Sequence, residues 1–184
     1  MNTVVTSKDE ILKTNRELIQ KQGWSAVSIR SVAACGVSVG SIYNYFKSKE
    51  ALMSATVESI WCEIFHEPEN GSVFEDTLSC ISWMYGRMEY GQRKYPGFFT
   101  LHSLGFLGNE KLEGRQRMQE TWKHISDGLV FVLKRDPRVR PDAFTEQFPE
   151  EKFADVLFSL MLSALLRQDY VPSAVLEITR RTLY

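Results

Sequence analysis

Apolar and polar positions follow the helical period along most of the chain. Ile11, Leu18 and Ile19 give one apolar face to a helix predicted over Lys8–Gln22. Ser7 and Glu10 form a capping box at its start, and Gly23 stops it. Trp24 is expected to plug a gap between this head and the rest of the molecule. Ser28 caps a short second helix with Ile29, Val32 and Ala33 on one side. Gly36-Val37-Ser38 reads as a tight turn whose serine caps a third short helix over 39–46. Ser48 then caps a long fourth helix reaching about Phe65.

The stretch 67–72, with Pro68 and Gly71, has the composition of a linker. Beyond it the periodicity predicts a helix over 73–94, a break at Pro96-Gly97 and a short apolar helix over 98–107. A charged amphipathic helix comes next, over 109–134. Pro137, Pro141 and Pro149 make 136–149 a loop, 150–168 is strongly helical, and a last helix starts near Pro172. No segment alternates with period two between turn signals, so strands are not expected. The fold class is therefore all-α, with a three-helix head over 1–50 and a helical body over 51–184.

Composition narrows the function classes. With 43% hydrophobic and 24% charged residues in 184, the chain reads as an ordinary globular protein. No apolar run approaches the roughly 20 residues of a bilayer span. The start, MNTVVTSKDEILK, lacks the apolar core of a signal peptide, so a cytoplasmic protein is expected, with no membrane partner. Cys35, Cys62 and Cys80 are widely spaced and form no CxxC pair; reduced, structural thiols are expected, with no metal. His66, His102 and His124 sit in no metal-binding or catalytic signature. No nucleophile elbow, Walker loop or dinucleotide fingerprint is present, so nothing asks for an enzyme or a cofactor. A net charge of −1 excludes bulk coating of nucleic acid, but residues 1–50 carry +3 and the remainder −4. A basic head on an acidic body suits local contact with phosphate.

Three short helices with a Gly-Val-Ser turn between the second and third make a helix-turn-helix. Ile42 and Phe46, four apart, turn inward to hold the third helix. Val39, Gly40, Ser41, Tyr43, Asn44 and Tyr45 are left on its outer side. The hydroxyls suit phosphate oxygens, and Lys49 adds a positive charge at the start of the fourth helix. Val39 and Gly40 offer only apolar contact and Asn44 can pair with adenine, so an A·T-leaning site is expected.

The run from Gly36 to Leu52, GVSVGSIYNYFKSKEAL, resembles the signature of the TetR family of regulators. Gly23-Trp24 and the segment SIRSVA from Ser28 to Ala33 are similar to the same family's head. The resemblance covers about residues 8–55. It implies phosphate contacts for Ser28, Ser41, Tyr43, Tyr45 and Lys49, and base or groove contacts for Arg30, Val39, Gly40 and Asn44. In one place the chain departs from the family. Only Ala34 and Cys35 stand between Ala33 and Gly36, where the family usually has three residues. Loss of one residue from a helix turns the downstream chain by about 100°, so the second helix either ends early or starts elsewhere.

The resemblance further implies a dimeric repressor on a pseudo-palindromic double-stranded operator, released by a small-molecule effector held among the middle helices. Trp83, Phe98, Phe99, His102 and Trp122 form a cluster heavy enough for an apolar or aromatic ligand. Phe153, Val156, Leu157, Leu160, Met161 and Ala164 make a wide apolar stripe. With Leu176 and Leu183 of the last helix they are expected at a homodimer interface. Two alternatives stay open: a DNA-binding protein that answers to a protein partner, and a helical ligand-binding protein or enzyme whose head no longer binds DNA.

Overall fold

The computed structural model describes residues 7–65, 74–99 and 112–184, the last stretch with side chains from residue 119 onward. The described residues form eight α-helices and no strand. They are α1 (Lys8–Gln22), α2 (Ile29–Ala34), α3 (Val39–Tyr45), α4 (Lys49–Phe65), α5 (Thr77–Lys94), α6 (Leu112–Arg135), α7 (Glu150–Arg167) and α8 (Ser173–Leu183), with a 3-10 turn at Trp24–Ala26. They group into two compact units that do not follow chain order: Met1–Glu63 with Gln92–Met118, and Ile64–Gly91 with Gln119–Tyr184. Among the described residues no helix is long and apolar enough to cross a membrane.

Local chemistry explains several helix ends. Ser7 and Glu10 exchange side-chain bonds with each other's backbone N–H, at 3.1 and 3.0 Å, as a capping box. Gly23 ends α1 at φ 78°, a backbone that favours glycine. Ser38 accepts from the N–H of Ser41 at the start of α3, and Ser48 from that of Ala51 at the start of α4. Helix α5 begins at Thr77 rather than at 73, because the Asp76 carboxylate takes the N–H of Ser79 at 2.6 Å and so caps the helix there. Of the helix expected over 98–107 only Phe98 and Phe99 lie among the described residues. The linker at 67–72 and residues 109–111 lie outside them.

In the first unit, α2 packs on α1 and α3. The core is built from Ile11, Leu18 and Ile19 of α1, Val32 of α2, Ile42 and Phe46, and Leu52, Ile60 and Trp61 of α4. Buried inside it, the Asn15 amide donates to the Thr56 hydroxyl at 2.6 Å and pins α1 to α4. Trp24, expected at a gap between head and body, stacks on Phe98 within this unit, at 5.7 Å and 14° between planes.

In the second unit, Ile81, Met84 and Tyr85 of α5, Leu129 of α6, Leu157 and Met161 of α7 and Val175 of α8 line a small apolar cavity of about 10 Å3, room for about one water molecule. Asp136 lies buried at the end of α6. Its carboxylate accepts from the N–H of Thr77 at 2.8 Å, from the N–H of Arg138 at 3.0 Å and from the Tyr184 hydroxyl. The start of α5 and the end of the chain are thereby tied to one charge.

Candidate nucleic-acid interface

The shortening before Gly36 falls at the end of α2, not at its start. Ser28 caps α2 as expected, accepting from the N–H of Ser31 at 3.0 Å, while Ser31 returns the bond to the N–H of Ser28 at 2.8 Å. The helix runs only to Ala34. The N–H groups of Cys35 and Gly36 then close on the carbonyls of Val32 and Ala33 in a tight last turn. Gly36 leaves it at φ 103°, which side-chain-bearing residues rarely adopt.

This places α3 with Ile42 and Phe46 buried beneath it and its other side open. Tyr43 is 52% and Tyr45 47% exposed, and Val39, Gly40 and Asn44 are exposed with them. About half of each tyrosine is therefore open to solvent, on a helix whose inner face is fixed. Ser41 is half-buried and its hydroxyl shares a 2.7 Å hydrogen bond with that of Ser38. Arg30 on α2 and Lys49 at the first residue of α4 are exposed, as is Lys47 between α3 and α4. Ser28 is half-buried and occupied by its capping role.

Gly40 is informative because nothing in the fold demands it. Its backbone is helical, and an added Cβ would meet only the Ser38 hydroxyl, at 3.9 Å. A glycine inside a helix costs about 0.5–1 kcal/mol relative to alanine. The missing side chain leaves the backbone of α3 open to close approach from outside.

The residues expected to hold a ligand fall into separate aromatic groups. In the first unit Phe98 and Phe99 are fully buried, 5.1 Å apart, with Trp61 against both at 5.9 and 5.5 Å. In the second, Trp83 meets Phe65 and Phe74, and Trp122 meets Phe158. His102 lies outside the described residues. None of the four described residues lines the cavity, whose walls are aliphatic, methionine and tyrosine side chains.

Of the stripe expected at a dimer interface, Phe153, Leu157, Met161, Ala164 and Leu183 are already buried by their own chain. Val156 is exposed, and Leu160 and Leu176 are half-buried. Leu166, Val171 and Ile178 are exposed as well.

Comparison with known proteins agrees with this geometry. Residues 11–56 match the family described as bacterial regulatory proteins, tetR family. The chain is 44% identical over 52 residues to the HTH-type transcriptional regulator YerO of Bacillus subtilis, covering 28% of this chain and 18% of that protein. It is 30% identical over 76 residues to the HTH-type transcriptional regulator UidR of Escherichia coli K12, covering 39% of each. The matches thus span under two fifths of these relatives' own length. The fold as a whole is similar to a crystal structure of a TetR transcriptional regulator from Legionella pneumophila, with a TM-score of 0.61 and 20% identity over 100% of both chains. A structural-genomics crystal structure from Rhodococcus sp. RHA1 aligns with a TM-score of 0.66 and 15% identity, over 96% of this chain and 94% of that one. Residues 11–56 thus match the helix-turn-helix of the tetR family of bacterial regulatory proteins, and over the rest of the chain the likeness is one of fold.

Proposed function

We propose that the protein is a cytoplasmic, non-enzymatic transcriptional repressor that grips a pseudo-palindromic operator as a homodimer and lets go when a small, mainly apolar effector binds its helical body. The observation that carries this reading is the outer face of α3: Tyr43 and Tyr45 exposed beside a helical Gly40 that the fold does not require. Tyr43, Tyr45, Ser41 and Lys49 take phosphate oxygens, with Ser28 at the cap of α2 beside them, and Arg30 of α2 reaches into the groove. Val39, Gly40 and Asn44 face the bases, where apolar contact with a thymine methyl and an amide for adenine favour A·T pairs. Two heads must reach successive major grooves, about 34–36 Å apart, which requires two subunits. The exposed apolar residues Val156, Leu166 and Ile178, with Leu160 and Leu176 beside them, support a dimer face along α7 and α8. The effector enters where α5, α6, α7 and α8 meet around the small apolar cavity, which has to widen to admit it.

The experiment is recovery and sequencing of host genomic fragments bound by the protein at fixed salt, with Tyr43→Ala and Gly40→Ala as controls. The wild type enriches an A·T-leaning pseudo-palindrome, and Tyr43→Ala does not. Gly40→Ala melts no lower than the wild type, because its methyl has room, yet binds the recovered fragment at least about ten-fold more weakly. Equal enrichment by wild type and Tyr43→Ala, or an unchanged affinity for Gly40→Ala, refutes the assignment of α3 as the reading helix.

A further inference from the structure

Helix α2 packs on α1 and α3 through a small buried surface centred on Val32. It is six residues long, buries only Val32 completely, and a helix this short has no stability of its own. Glycines at φ 78° and 103° bracket the stretch that contains it, Gly23 before the 3-10 turn and Gly36 after the helix. Beyond its packing on α1 and α3, its orientation depends on what its flanking turn rests on. The Ser31 hydroxyl donates to the Ala26 carbonyl at 2.7 Å, so the start of α2 is tied to the 3-10 turn that Trp24 opens. Trp24, in turn, stacks on Phe98.

Phe98 comes from a part of the chain some 50 residues beyond the helix-turn-helix, yet it belongs to the same compact unit. Tyr95, Phe98 and Phe99 are all fully buried there. The segment is anchored at its start by Glu63 of α4. That carboxylate accepts from the Tyr95 hydroxyl at 3.0 Å and pairs with Lys94, and Arg16 of α1 approaches it at 2.9 Å. One end of the segment is thus locked to α1 and α4, and the other presents a ring to Trp24.

We propose that residues 95–99 are a positioning element of the DNA-binding unit, which sets the angle of α2, and with it α3, through the Phe98–Trp24 stack. The DNA half of this inference rests on α3 being the reading helix; the mechanical half does not. The order of contacts is Glu63 to Tyr95, Tyr95 to Phe98 at 6.3 Å between rings, Phe98 to Trp24, and Ala26 to Ser31. Withdrawing Phe98 leaves α1 and α4 joined through Asn15 and Thr56 and takes away the ring on which Trp24, at the turn before α2, is stacked.

The test is hydrogen exchange on the full chain, comparing wild type, Phe98→Leu and Glu63→Gln. Phe98→Leu keeps the volume apolar and removes the stacked ring. Exchange in peptides over 24–35 rises about ten-fold, while peptides over 8–22 and 150–167 keep wild-type rates. Glu63→Gln, which leaves the aromatic core intact, gives a smaller rise with the same selectivity and serves alone if Phe98→Leu does not fold. On a recovered operator fragment, Phe98→Leu binds roughly five- to ten-fold more weakly, the factor that loss of one aromatic pair corresponds to. Unchanged exchange over 24–35, or a rise shared equally by all helices, overturns the proposal. If the wild type itself recovers no fragment, the reading of α3 has failed, and the exchange pattern still decides the positioning role.

Discussion

Replacing Asp136 by Asn keeps the shape of the side chain and removes the charge on which three donors converge. The N–H groups of Thr77 and Arg138 and the Tyr184 hydroxyl all point at the two carboxylate oxygens. An asparagine has only one oxygen, so in either orientation its NH2 faces a donor that then has no acceptor. Hydrogen bonds to a charged group contribute about 1.5–3 kcal/mol each and neutral ones about 0.5–1.5, and a buried donor left unsatisfied costs about 1–3. Weakening the surviving bonds and stranding one donor sums to roughly 3–4 kcal/mol. For a chain of this size that lowers Tm by about 10 °C. Thermal unfolding followed by circular dichroism checks it, with Glu177→Gln as the reference. Glu177 pairs with Arg180 and Arg181 on the outer side of α8, where solvent screens the charges and the pairs add little to stability. A Tm for Asp136→Asn no lower than that of Glu177→Gln refutes the reasoning. The pH dependence gives a second check. Burial alone would raise the Asp136 carboxyl, but the N–H of Thr77, the Tyr184 hydroxyl and the N–H of Arg138 outweigh it and hold it below its ordinary 3.8. A carboxyl lowered by folding stabilises fully above that value, and the contribution is lost as pH falls through the folded one. The gap between wild type and Asp136→Asn is therefore wide at neutral pH and closes in acid below about 3.8.

At the other end of the scale, Tyr95 and Tyr184 are pushed up to about 12, chiefly by burial and then, with Glu63 beside one and Asp136 beside the other, by a neighbouring carboxylate. A raised phenol stabilises fully below the ordinary 10.0 and its contribution is lost as pH climbs toward 12, so Tm falls across that interval. Tyr95→Phe flattens part of the fall; an unchanged slope in that variant would count against the assignment. Thiol labelling of the native protein modifies Cys35 and Cys62 but reaches Cys80, which is buried, only on unfolding. Cys62 reacts the more slowly at neutral pH, because burial and the nearby charge of Glu58 raise its thiol. Faster labelling of Cys62 than of Cys35 would contradict this ordering.

Much of this protein is written in interactions between residues four or fewer apart. The capping box of Ser7 and Glu10, the caps at Ser28, Ser38 and Ser48, the glycines that end α1 and come after α2, and the inward pair Ile42 and Phe46 are local, so the all-α fold and the helix-turn-helix are legible in the sequence. The Asp76 cap is local too, and missing it put the start of α5 four residues early. Choices between distant partners were not legible. Periodicity says that α7 carries a wide apolar stripe, but not that Phe153, Leu157 and Met161 are covered by their own chain while Val156 is left to solvent. It marks Trp24 as a plug without naming Phe98, and it finds three prolines after Asp136 without the three donors that converge on its carboxylate. Secondary structure comes from backbone hydrogen bonds and side-chain spacing within one turn, which the sequence states outright. Which ring meets which ring, and where a buried charge finds its donors, depends on segments brought together by burial of the whole apolar surface. Only the tertiary structure decides that.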